Sequence, residues 1–313
     1  MLGPLLFILY TSDVISIAAS LGVGAHSYAD DSQLYLHCLA TDQSTAALRL
    51  AECIERVEGW MKSNRLKLNS DKTQFLWLGS RQQLAKIDTK TMTIGDHRIE
   101  SSTSAKKLGV IFDSELGMDL HVNNITRSCF YQLRQMRSIR RSLSTDAAKT
   151  LVHSLISSRV DYCNSIFYGA TNIVVRRLQS VLNAAARLIS NKRKFDHVTP
   201  VLRDQLHWLP IRQRIEFKIA VFVRNAVHGR GPTYLSRTCT PVREVDARAH
   251  LRSAMRGDLT VPRTKTRRFG PRSIRVSGPV VWNSLPVDIR IPELSLERFK
   301  SMLKTHLFRQ AYA

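Results

Sequence analysis

The chain is short of acid: 25 Asp and Glu stand against 47 Lys and Arg over 313 residues, a formal net charge of +22. It is also poor in cysteine. The five present (Cys38, Cys53, Cys129, Cys163 and Cys239) are too scattered for a zinc ribbon or a redox pair. An odd number leaves one over in any disulfide framework, so reduced, mostly buried thiols are expected, in the nucleus or cytoplasm. His197, His207, His228 and His250 are equally scattered and offer no metal site. No repeat of the ~20–50 residue kind stands out. No uninterrupted apolar run reaches the ~20 residues that a bilayer requires. Leu5-Leu6-Phe7-Ile8-Leu9 has the look of a signal peptide, and Ala18-Ala19-Ser20 that of a cleavage site. No Lys or Arg precedes that stretch, however, and Asp13 soon follows it, so neither secretion nor a membrane is expected.

What is there suffices for a core. Hydrophobic residues make up 43% of the chain, which excludes wholesale disorder and fits one large domain or two ordinary ones. The charge is unevenly placed. Residues 1–100 carry 10 basic and 11 acidic residues, residues 101–200 carry 15 and 6, and residues 201–313 carry 22 and 8. All the excess lies downstream of a neutral first third, which suggests a polyanionic partner for the later part.

Pro4 suits the first turn of a helix, and the apolar residues after it would bury that helix almost all round. Gly22 and Gly24 then break the pattern. Leu34, Leu36 and Cys38 alternate with Gln33, Tyr35 and His37, the period of a half-buried strand, so Tyr28-Ala29-Asp30-Asp31 falls on a hairpin with its carboxylates at the tip. Residues 42–62 read as an amphipathic helix capped by Asp42, with Ala47, Leu50, Ile54, Val57 and Met61 at helical spacing. A turn at Asn69-Ser70-Asp71 precedes a short strand from Phe75 to Leu78. Residues 92–94 and 107–112 are two further strand candidates, with a Gly95-Asp96 turn after the first. The first ~115 residues therefore read as α+β with a small, mostly antiparallel sheet.

Beyond Gly117 the pattern is helical. In residues 119–141, Val122, Ile125, Cys129, Leu133 and Met136 fall on one face, while Arg127, Arg134, Arg137 and Arg141 fall opposite, at about 100° per residue. The arginines are either a solvated face or a stripe that tracks phosphates. One further helix carries Leu151 and Leu155. Another holds Leu178, Val181, Leu182, Ala185 and Leu188 and ends near Lys192-Arg193-Lys194. A third runs from Pro210 through Ile215, Ile219, Phe222 and Ala226 to Gly229. Residues 237–275 carry eleven Lys or Arg and three acids without sustained periodicity, as a basic linker or arm would. Order returns around Trp282-Asn283-Ser284-Leu285-Pro286, and Ser295 caps a last helix with Phe299, Leu303 and His306.

Two carboxylates on a tight hairpin offer hard oxygen ligands for Mg²⁺, although Asp is favoured in surface turns anyway. Their surroundings add to the signal. Leu2-Gly3-Pro4-Leu5-Leu6-Phe7-Ile8-Leu9-Tyr10, Tyr28-Ala29-Asp30-Asp31, Asn69-Ser70-Asp71-Lys72-Thr73, Lys106-Lys107-Leu108-Gly109-Val110 with Asp113, His207-Trp208-Leu209-Pro210 after the 178–189 helix, and Trp282-Asn283-Ser284-Leu285-Pro286 follow in that order. In this order the chain resembles the reverse transcriptases of non-LTR (LINE-type) retrotransposons over nearly its whole length.

The resemblance implies α+β architecture: a partial right-hand polymerase palm with a small antiparallel sheet, then a mainly α-helical thumb and C-terminal region. It divides the chain into a palm part (residues 1–116), a helical thumb or connection (117–231), the basic linker or arm (232–276) and a C-terminal segment (277–313). It implies RNA-directed DNA polymerisation by two-metal nucleotidyl transfer with Mg²⁺ or Mn²⁺ and no small-molecule cofactor. Asp30 and Asp31 would be metal ligands, Tyr28 would lie near the primer end, and Lys72 would protonate pyrophosphate or stand solvated. An RNA template and a DNA primer or target would be the partners, held by Arg127, Arg134, Arg137, Arg141, Lys192, Arg193 and Lys194. The family pattern also has a catalytic aspartate, fingers and a glutamine-glycine stretch upstream of Leu2. Without them this chain is expected to be the C-terminal part of a polymerase and inactive alone. The alternative is a non-catalytic basic module that binds RNA or DNA.

Overall fold

The structure, a computed structural model, describes residues 2–95 and 97–313, with the side chain of Ser70 also outside the description. The expected Gly95-Asp96 turn thus falls partly outside the described residues, though Gly95 has a φ of +54°. Two units separate by their internal contacts, Met1–Gly117 and Met118–Ala313.

The first unit contains helices α1 (Gly3–Tyr10), α2 (Ser12–Ser20), α3 (Gln43–Ser63) and α4 (Arg81–Leu84). Its strands are β1 (Gly24–Tyr28), β2 (Asp31–Tyr35), β3 (Phe75–Leu76), β4 (Thr91–Ile94), β5 (His97–Ser102), β6 (Ser104–Lys107) and β7 (Val110–Asp113). The coarse class is α+β, but the strands form three small sheets instead of one: β1-β2, β3-β5-β4 and β6-β7. All pairs are antiparallel except β3 with β5. The expected strand from Phe75 to Leu78 is two residues long. The single strand expected over 107–112 is instead the β6-β7 hairpin, turning at Leu108 and Gly109 with φ of +46° and +81°. Two consecutive left-handed residues are what a two-residue hairpin loop demands, and glycine meets that demand at its second position without steric cost.

Helix α3 buries Ala51, Cys53, Ile54 and Val57. One side of it packs on Phe75, Met92 and Ile94, and Cys53 packs with Ala18 and Val23. Leu34 touches both clusters and is the β2 residue through which the hairpin is seated. β2 ends at Tyr35, so Cys38 lies beyond the strand and is exposed, against expectation. Asp42 occupies the cap position of α3 but makes no side-chain cap bond. A 3-10 turn at Ala40–Asp42 leads into the helix, and the Asp42 carboxylate accepts the Thr41 hydroxyl at 2.9 Å.

The N-terminal helix departs furthest from expectation. Pro4 does open α1, yet α1 buries none of its residues, and Leu5 and Leu9 are 60% and 70% exposed. Thr11 divides it from α2. Residues Gly3–Ser20 together are long and apolar enough, by length and composition, to cross a membrane.

The second unit is helical: α5 (Asp119–Ile139), α6 (Thr145–Val152), α7 (Ser158–Asp161), α8 (Asn172–Ile189), α9 (Ile211–Val227), α10 (Thr233–Ser236), α11 (Arg252–Met255), α12 (Ile274–Asn283) and α13 (Leu296–Tyr312). The five apolar residues expected on one face of α5 are all buried, and α5 packs on α8, whose Leu178, Val181, Leu182, Ala185 and Leu188 are likewise buried. α12 and α13 both pack on α9. Ser295 caps α13 as expected, its Oγ accepting the Arg298 N–H at 3.2 Å. The helix carrying Leu151 is interrupted by a π-turn at His153–Ser157, and Leu151 and Leu155 are both half-buried. Phe222, expected in the core, is 37% exposed because it falls between the buried Ile219 and Val223 on the edge of the α9 stripe.

Candidate functional site

The hairpin pairs Ala25 with Leu34, His26 with Gln33, Ser27 with Ser32 and Tyr28 with Asp31, so its loop is Ala29-Asp30. Ala29 takes a φ of +52°, the left-handed conformation required at such a loop and strained for any residue with a Cβ. The ring of Tyr35 folds across Gly24 and stacks on His26 at 5.1 Å between centroids. A Cβ at position 24 would run into that ring, so a larger residue there requires the Tyr35 ring to move off the strand.

This geometry brings Tyr28, Asp30 and Asp31 together at one exposed tip. Tyr28 is 67% exposed. Asp31 has a partner that no spacing in the sequence indicates: Lys107, at the end of β6, places Nζ 2.8 Å from the Asp31 carboxylate and 2.8 Å from its carbonyl oxygen. Lys72 sits in a 3-10 turn, Ser70–Lys72, where its backbone N–H reaches the Asn69 side chain at 3.3 Å. Among the described residues no hydrogen bond or ion pair joins Lys72 to Asp30 or Asp31.

A two-ion centre needs several carboxylate oxygens facing two cations about 4 Å apart. The tip supplies two adjacent carboxylates, one already held by an ammonium group. Among the described residues, no three His, Cys, Asp or Glu gather as a metal-binding group. The donors present therefore do not complete a centre for two Mg²⁺ or Mn²⁺ ions, and no catalytic step follows from them alone.

In the second unit, Arg127, Arg134 and Arg137 are exposed on the α5 face opposite its buried one. Arg141 is exposed too, but α5 ends at Ile139 and Arg141 sits in the 3-10 turn Arg140–Ser142, so it does not continue the helical stripe. Its neighbour Arg140 turns inward. Arg140 donates Nε–H and Nη2–H to the carbonyls of Leu188 and Ile189 at 2.9 and 2.8 Å, and Nη1–H to Leu143 at 2.8 Å. These bonds satisfy the last carbonyls of α8 and tie its end to the end of α5.

Lys192, Arg193 and Lys194 are exposed just beyond α8. Asp196 shapes their turn, accepting the Arg193 N–H at 2.8 Å through its carboxylate. A cleft of about 420 Å³ opens between these elements, with Arg140, Lys149 and Lys192 among its lining residues. No spacing in the sequence indicates Lys149 and Arg140, because only the packing of α5 and α6 on α8 brings them to the basic cluster.

Two curated relatives, both from Drosophila melanogaster, are similar to the chain. The probable RNA-directed DNA polymerase from transposon BS is 26% identical over 213 residues, 65% of this chain and 23% of that protein. The probable RNA-directed DNA polymerase from transposon X-element is 24% identical over 208 residues, 65% of this chain and 22% of that protein. The chain thus spans less than a quarter of the length of the curated relatives it matches. No family model and no solved structure matches it. The motif order and these similarities agree: over about two thirds of its length the chain is similar to RNA-directed DNA polymerases of transposons.

Proposed function

We propose that the chain is the palm-end and thumb region of a retrotransposon RNA-directed DNA polymerase, and that these 313 residues by themselves bind template–primer without extending it. In this reading Asp30 and Asp31 are metal ligands for Mg²⁺ or Mn²⁺, Tyr28 lies near the primer end, and Lys72 is the candidate acid toward pyrophosphate. Arg127, Arg134, Arg137, Arg141 and the cluster Lys192-Arg193-Lys194 contact the phosphates of an RNA template and a DNA primer. One observation carries the proposal: the paired carboxylates occupy an exposed hairpin tip in a chain similar to two such polymerases.

Primer extension on an RNA template with Mg²⁺ tests this. The 313-residue chain should bind the template–primer and add no nucleotide. Synthesis abolished by Asp30→Ala would refute the inactivity, and absence of any binding would refute the placement.

A further inference from the structure

The stretch expected as a basic linker or arm is tethered at a definite point. Pro241 and Leu259 form an antiparallel bridge, with the Val242 N–H donating to the Asp258 carbonyl and the Thr260 N–H to the Thr240 carbonyl, each at 2.9 Å. The segment Trp282-Asn283-Ser284-Leu285-Pro286 grips the same short strand. The Asn283 carboxamide pairs with both backbone groups of Leu259, accepting its N–H and donating to its carbonyl, each at 2.8 Å. The buried Trp282 donates Nε1–H to the Gly257 carbonyl at 3.1 Å. Arg290 reaches Asp258 in a buried ion pair. A side chain that satisfies both backbone groups of one residue acts as a strand neighbour would.

From this latch a loop runs out and returns to α12. It contains Arg263, Lys265, Arg267, Arg268 and Arg272, with Arg275 in the first turn of α12, and no acid occurs between Asp258 and Asp288. All but Arg272 are exposed. The loop is drawn together from inside: the Gly270 N–H donates to Thr266 Oγ1 at 2.8 Å, and a Cβ on Gly270 would meet Thr264 at 2.5 Å. Five of the six cations are arginine, whose planar fork engages phosphate oxygens in pairs. A solvated charge run needs no such anchoring, whereas a loop already ordered gives up less entropy when it binds.

We propose that residues 260–273 form a second contact for the phosphate backbone of a nucleic acid, separate from the α5 stripe and held in shape by the 282–286 segment. This deepens the function proposed above and rests on it. The loop contacts phosphates and reads no base, so its binding is independent of nucleotide sequence and depends strongly on salt.

The test is fluorescence anisotropy with a labelled single-stranded RNA and the full chain, titrated from 50 to 200 mM KCl (roughly the range over which phosphate contacts dominate). Three variants are compared with the wild type. The loop variant is Arg263→Gln/Lys265→Gln/Arg267→Gln/Arg268→Gln, and the stripe variant is Arg127→Gln/Arg134→Gln/Arg137→Gln. The latch variant, Asn283→Ala, keeps every charge.

The loop variant should lower the log–log salt slope by about 0.7 for each single-strand phosphate that is no longer neutralised. The latch variant should bind roughly tenfold more weakly while hydrogen exchange shows faster exchange confined to the loop and its anchor. A loop variant that binds like the wild type, beside a weakened stripe variant, would overturn this inference and leave the proposed function standing. A latch variant that binds like the wild type with its loop unprotected would also overturn it. Transfer of the loop effect from RNA to phosphatidylserine vesicles would do the same. If the wild-type chain binds no RNA at all, both proposals fall together.

Discussion

Asp258 holds two arginines at different depths, and removing them separately measures what burial contributes to an ion pair. Arg290 places Nη1 2.5 Å from one carboxylate oxygen, and the two side chains are 4% and 12% exposed. Arg256 places Nη2 3.1 Å from the other oxygen, but its side chain is 59% exposed. Solvent screens the outer pair, so Arg256→Ala should cost ~0–1 kcal/mol. Arg290→Ala strands a carboxylate at the inner position, and Asp258→Asn strands a guanidinium, each costing about 3–5 kcal/mol. The double variant Asp258→Leu/Arg290→Met should fall well short of the sum, because it leaves neither member of the inner pair as an uncompensated buried charge. The assay is native-state hydrogen exchange at Leu259 and Val242, whose amides the Asn283 side chain and the Asp258 carbonyl hold. A loss of 3–5 kcal/mol lowers protection by roughly 10²–10⁴-fold. Equal losses in Arg256→Ala and Arg290→Ala would refute the reasoning, as would a double variant as unstable as the sum.

Glu216 on α9 has its pKa raised by burial, an effect that Arg212 partly offsets. Its contribution to stability is present below the ordinary glutamate pKa and lost as pH rises through the raised one. Glu216→Gln should therefore match the wild type in acid and exceed it at neutral pH in urea unfolding; a gain confined to acid would contradict this. Cys129 is fully buried and its thiol is pushed up to about 11, whereas Cys38 is exposed, so iodoacetamide at mildly alkaline pH should modify Cys38 first and Cys129 only on unfolding. Peptide mapping decides the order, and early labelling of Cys129 would contradict its burial. Ala29→Gly removes the cost of a left-handed alanine and should stabilise the hairpin by about 1 kcal/mol, read as slower amide exchange in β1 and β2; faster exchange would show that the loop is not strained. Lys107→Met should cost less than about 1 kcal/mol, because its partner Asp31 is half exposed. A larger loss in thermal unfolding would mean that Lys107 does more than pair with Asp31.

The helices of the second unit were legible because their information is local. Val122, Ile125, Cys129, Leu133 and Met136 repeat at the pitch of the backbone, and all five are buried. β5 was not legible. His97–Ser102 carries Ile99 as its one large apolar residue, and becomes a strand by pairing with β3 and β4. The β6-β7 hairpin was hidden because Leu108 occupies a left-handed position that glycine or asparagine would have signalled. Within the candidate site, the hairpin and its carboxylates could be read, whereas the Lys107 partner lies 76 residues away from Asp31.

The sequence by itself determined the neutral first third and the basic remainder, the aspartates at a hairpin tip, and the buried and charged faces of α5. Each is a matter of composition or of spacing within a few turns of backbone. Tertiary structure alone decided that Lys107 holds Asp31, that Arg140 ties α5 to the end of α8, and that Asn283 and Arg290 clamp residues 258–259. Those interactions join residues 24 to 76 positions apart, and backbone periodicity does not reach that far. They form only when packing of the intervening elements brings both partners to one place.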